Sequence, residues 1–118
     1  MNKYDLEERL IRFSVLIIEL SKAMTKSYVG QHLSKQIIRS GTSVSLNYGE
    51  AQSGESRKDF VHKMKIVLKE LRESHICLKI IERTNLCKSI DKLQKAKQEN
   101  HELISIFVKS VETAQKNR

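Results

Sequence analysis

The sequence predicts an all-α fold, an antiparallel up-down-up-down four-helix bundle in which residues 1–118 form one domain. Three observations predict it. No Pro interrupts the 118 residues, and only four Gly punctuate them. Apolar residues recur in alternating steps of three and four almost throughout, the period of amphipathic helices rather than strands. With three Phe, three Tyr and no Trp, the core is aliphatic, which argues against a β-sandwich or an aromatic platform that stacks bases. A chain of this size buries about two thirds of its unfolded surface, so a core forms without disulfide or metal staples.

The first helix opens near Asp5, read as its N-cap. It buries Leu6, Leu10, Phe13, Ile17, Leu20 and Met24 and fades over Thr25–Gly30. Ile11, Val15 and Ile18 widen that stripe beyond what one neighbouring helix covers. The second helix starts around Gly30 on Leu33, Ile37, Val44 and Ala51, with Ser40, Gly41 and Asn47 beside the seam, and ends at Gly54. Ser56 or Glu55 then caps a third helix, Arg57–Arg83, built on Phe60, Met64, Val67, Leu71, Leu78 and Ile81. After a break at Thr84–Ser89 the fourth helix runs from Ile90 to Gln115 through Leu93, Ile104, Phe107, Val111 and Ala114, and Lys116–Arg118 fray. Four such helices with short connections fold back on one another into a bundle about 30–40 Å long.

Several function classes drop out. The longest uncharged stretch, Ser40–Gly49, is far shorter than the roughly 20 apolar residues that span a bilayer. Asp5, Glu7 and Glu8 stand where a secretory leader needs a basic and then an apolar segment, so the expected compartment is the cytoplasm. Cys77 and Cys87 read as reduced thiols. A di-iron bundle needs two Glu-x-x-His motifs, and the nearest match is Asp59-x-x-His62 alone. His32, His62, His75 and His101 follow no metal-ligand spacing, and neither a phosphate loop nor a nucleophile elbow occurs. The expectation is a protein with no catalytic residues, metal or cofactor.

Two polar patterns remain. At 100° per residue, Arg39, Ser43, Asn47 and Glu50 fall within about 80° of each other, with Gln36 inside the arc. Beside an apolar seam such a ladder needs partners: Glu50, Glu70 or Glu73 for Arg39, and a neighbouring backbone for Asn47. It reads either as a ligand site or as a network fixing helix register or a subunit contact. The second pattern is a basic row on the third helix, Lys58, His62, Lys65, Lys69, Arg72, Lys79 and Arg83, which no acid interrupts. Residues 1–54 carry a net charge of +2 and residues 55–118 a net +6, so the positive field belongs to the second hairpin. Such a field attracts phosphate backbones without reading sequence, whereas the plain alternative is a solvated lysine-rich face.

The run Gln36-Ile-Ile-Arg-Ser-Gly-Thr-Ser-Val-Ser-Leu-Asn-Tyr-Gly-Glu-Ala-Gln and the later Ser56-Arg-Lys-Asp-Phe-Val-His-Lys-Met-Lys-Ile-Val-Leu-Lys-Glu-Leu-Arg-Glu resemble the four-helix bundle proteins encoded within intervening sequences of bacterial 23S ribosomal RNA genes. The Arg39, Ser43, Asn47, Glu50 ladder and the Asp59–Glu73 run are the most specific parts; the first and last helices match in pattern only. That family is distantly similar to the accessory variability protein of diversity-generating retroelements, a basic pentameric barrel that associates with nucleic acid and a reverse transcriptase. The resemblance implies a homo-pentamer and no established catalytic activity. Two departures stand out: Cys77-Leu78 replaces a Trp-Leu pair of many members, and Asn47-Tyr-Gly-Glu-Ala replaces Asn-Ile-Ala-Glu-Gly, keeping Asn47 and Glu50.

The leading expectation is an oligomeric scaffold that binds structured RNA or DNA through Lys58, Lys65, Lys69, Arg72, Lys79 and Arg83. The alternative, from a different class, is a module that docks a partner protein on Ile11, Val15 and Ile18 of the first helix. If self-association buries those three residues, no apolar patch remains for another protein; if they stay exposed in the isolated protein, the partner reading gains.

Overall fold

The structure, a computed structural model, describes residues 1–54 and 56–117. Four helices follow in order: α1 (Lys3–Lys22), α2 (Tyr28–Gln52), α3 (Arg57–Arg83) and α4 (Ile90–Lys116). Each packs on its neighbours around the square, α1 on α2, α2 on α3, α3 on α4 and α4 back on α1. The extents are 46 × 22 × 20 Å, longer than one helix because the connecting turns add to it.

Local chemistry sets the helix ends. Asn2, not Asp5, caps α1: its Oδ1 accepts from the N–H groups of Tyr4 and Asp5, both at 3.0 Å, and Asp5 answers from the third helical position in a capping box. The earlier start adds a turn that the apolar pattern alone leaves out. Ser27 caps α2, which begins at Tyr28, two residues before Gly30. Ser56 Oγ accepts from the Asp59 N–H at 3.1 Å and starts α3 as expected, whereas Glu55, its alternative, and Arg118 lie outside the described residues. Thr84–Leu86 close α3 in a Schellman motif: Leu86 N–H donates to Ile81 O, Asn85 N–H donates to Glu82 O, and Asn85 takes φ 55°. Ser89 caps α4, which continues through Lys116 to a C-cap at Asn117.

The α1 seam is buried at all six expected positions, Leu6 to Met24. In α2, Ile37, Val44 and Ala51 are buried with Tyr48, while Leu33 is only half-buried. In α3, Met64, Val67, Leu71, Leu78 and Ile81 are core, with Phe60 at its edge. The α4 seam needs a correction, because Leu103 is fully buried and Ile104 is half-buried. Asn100, also fully buried, occupies the middle of the row Leu93, Ala96, Asn100, Leu103, Phe107 and so disguises its phase in the sequence.

Each side of the square has a polar tie. Ser14 Oγ donates to Gly41 O at 2.9 Å between α1 and α2, and Ser40 Oγ meets Ser74 Oγ at 2.8 Å between α2 and α3. Asn100 Nδ2 donates to Leu71 O at 3.2 Å between α3 and α4. Between α1 and α4, Arg9 is bidentate to Glu99 at 2.8 Å and also donates to Glu102. At one end the two odd-numbered connections pair as a short antiparallel bridge, with Thr25 N–H donating to Leu86 O and Lys88 N–H donating to Ala23 O. Among the described residues, no helix is long and apolar enough to cross a membrane.

Candidate nucleic-acid interface

The basic row stands on one 27-residue helix without Gly or Pro. Spacings of three, four and seven keep its members on one side, and Lys58, His62, Lys65, Lys69, Arg72 and Arg83 are exposed, with Lys79 half-buried. Among the described residues, no carboxylate lies within ion-pair distance of these cations; the α3 lysine that is paired is Lys63, at 2.7 Å from Glu50, and it lies off the row. Arg83 sits in the last turn, where the helix dipole favours a cation.

Two features qualify the sequence reading of this row. Glu73 borders it, lining the same groove as Lys69 and Arg72. The row is also interrupted by an aliphatic residue, Ile76, which is 54% exposed, with Ile80 beside it at 44%. Both escape a search for charge, yet the spacing that aligns the cations equally aligns Ile76 with them.

The ladder on α2 divides into three separate contacts. Arg39 reaches across to α3, donating to Glu70 at 3.2 Å and to Glu73. Asn47 Nδ2 donates to its own helix, to Ser43 O at 3.0 Å and Ser43 Oγ at 2.8 Å, rather than to a neighbouring backbone. Glu50 takes Lys63 instead of Arg39. The ladder therefore ties α2 to α3 at two heights, with a local bond between them. Burial pushes the Glu70 carboxyl above its ordinary range and the adjacent Glu73 adds to this, while Arg39 opposes it. The hydrogen bond to Glu73, together with both carboxylate charges, raises Arg39.

Other titratable groups sit beside this surface. Burial pushes the Cys77 thiol up to about 11, which keeps it protonated and inert at neutral pH. Burial lowers His75, and the positive charges of Lys79, His101 and Lys97 lower it further. Among the described residues, no group of three or more His, Cys, Asp or Glu side chains is placed to hold a metal ion.

Between α2 and α3 the surface opens into a groove of about 810 Å³ whose lining includes Arg39, Lys65, Lys69 and Arg72. The sequence profile of the 23S rRNA-intervening sequence proteins matches residues 2–109. The chain belongs to that family. A solved structure is similar over 95% of this chain and 99% of its own, with 28% identity and a TM-score of 0.85. It is described as a protein with unknown function from the S23 ribosomal protein family of Bacteroides thetaiotaomicron VPI-5482. Among curated proteins there is no match. For this intervening-sequence protein the comparisons supply the fold and the family.

Proposed function

We propose that this intervening-sequence protein is a non-enzymatic cytoplasmic scaffold that binds structured RNA or DNA along α3. The observation that supports this is the basic row: Lys58, Lys65, Lys69, Arg72, Lys79 and Arg83 lie on one side of one helix without carboxylate partners among the described residues. From Lys58 to Arg83 the row spans about 38 Å at 1.5 Å per residue, long enough to follow several successive phosphates. Contacts of this kind position a nucleic acid and read little sequence. Self-assembly into the homo-pentamer implied by the resemblance multiplies the field, because every copy adds its own row.

The test is fluorescence anisotropy against labelled structured RNA and duplex DNA over a salt series. The expected affinity falls steeply with salt, and the triple reversal Lys65→Glu, Lys69→Glu, Arg72→Glu abolishes binding while circular dichroism stays unchanged. Undiminished affinity in that variant removes the row from the account.

A second reading has its own observation. Ile11, Val15 and Ile18 are 43%, 51% and 38% exposed on the isolated chain, one apolar line on the outside of α1. That face suits either a partner protein or another copy. Light scattering separates the two: a monomer with the face uncovered favours a foreign partner, and an assembly dissociated by Val15→Glu favours self-association.

A further inference from the structure

The α2/α3 groove has a floor that phosphate binding does not use. Leu33, Leu68 and Cys77 pack half-buried against the core, and Ile76 and Ile80 stand exposed above them, one turn apart. No aromatic ring lines the groove, so a base has nothing to stack on. Exposed aliphatic side chains at the centre of a basic strip contribute little to holding a polyphosphate, whereas they are the usual anchor points of a helix laid in a groove. From Lys65 to Ile80 the α3 wall is about 22 Å long, four turns of an incoming helix. The rim selects the charge of that helix. Lys65, Lys69 and Arg72 have no carboxylate partner among the described residues, and Arg39 on the opposite wall already holds Glu70 and Glu73.

We propose that this groove docks an acidic amphipathic helix of a partner protein, its apolar stripe on Ile76 and Ile80 and its carboxylates on Lys65, Lys69 and Arg72. A second copy of the chain complements the rim less well. Its exposed apolar line on α1 is flanked by Glu8 paired to Arg12 and Glu19 paired to Lys22, and of the α1 acids only Asp5 and Glu7, both at the N-terminal end, are left without an ion pair among the described residues to set against three cations spread over two turns of α3. The inference stands on the apolar floor and does not rest on nucleic-acid binding. Because both ligands use the same three cations, a docked helix excludes a polyphosphate from the middle of the row.

The probe is a fluorescein-labelled peptide of about 18 residues, Leu at helical spacings of three and four and Glu elsewhere, beside a scrambled peptide of identical composition. The ordered peptide binds at least about tenfold more tightly than the scrambled one at about 0.1 M salt. The double variant Ile76→Ser, Ile80→Ser loses at least about tenfold of peptide affinity yet keeps oligonucleotide affinity within about twofold. Lys65→Glu with Lys69→Glu loses both. Both isoleucines are exposed, so the serine variant folds, as circular dichroism checks. Absent peptide binding, equal binding of the two peptides, or an unaffected serine variant overturns the proposal. So does dissociation of a peptide-free assembly by the serine variant, which gives the groove to a second copy. Failure of the oligonucleotide arm alone overturns the phosphate reading and leaves this one standing.

Discussion

Gly41 of α2 faces Ile17 of α1: a Cβ there would lie 2.8, 2.9 and 3.1 Å from Ile17 Cγ1, Cγ2 and Cβ. Ile17 is fully buried and cannot swing away. Overpacking therefore exceeds the helix propensity that Ala adds, and Gly41→Ala destabilises by about 1–2 kcal/mol. Gly49 has nothing within 4 Å of the corresponding position, so Gly49→Ala stabilises by about 0.5–1 kcal/mol. Urea titration of the pair checks both signs. His75 gives a pH dependence. Its folded pKa lies below 6.5, because burial and then Lys79, His101 and Lys97 disfavour the imidazolium. As pH falls the unfolded chain takes up this proton first, so the stability present above the ordinary histidine range is lost as pH falls through the folded value. Tm falls as pH is lowered from about 7.5 to about 5.5 through this residue, and His75→Gln flattens the slope in thermal melts. The small residue beside the α2 seam is legible in the sequence, but its contact with Ile17 is not, since the two are distant in the chain.

At the scale of elements, the helix interiors followed from apolar spacing and the ends from caps. Spacing cannot extend a helix through polar residues, which is why the apolar pattern opens α1 at Asp5, whereas Asn2 holds the Tyr4 and Asp5 amides and starts it at Lys3. Asn2→Ala removes both acceptances and costs about 1 kcal/mol, with fraying of the first turn readable as faster amide exchange at Tyr4 and Asp5. The same spacing rule misplaced the α4 seam, because a buried Asn100 looks like a surface residue in sequence. Its Nδ2 has Leu71 O, while its Oδ1 is buried without a protein partner. The basic row was legible for the same reason as the seams, a helical period. Its aliphatic interruption at Ile76 shares that period but carries no charge, so a pattern of charges does not contain it.

For the whole molecule, chain chemistry was enough for the helix count, the order and lengths of the helices, the excess charge on the second hairpin and membership of a bundle family. These are local or additive quantities, set by residues close in sequence or by sums over them. Which side chains meet across the bundle is a different kind of quantity. Arg39 had three carboxylates in reach on paper and took Glu70 and Glu73, because α2 and α3 run antiparallel in one particular register; the same register leaves Glu50 to Lys63. Arg9 with Glu99 and Glu102, the Met24–Cys87 bridge and the groove over Leu33, Leu68, Ile76, Cys77 and Ile80 each join residues from separate helices or loops. No one-dimensional period contains them. They exist only after close packing selects one register among the several that the seams alone permit.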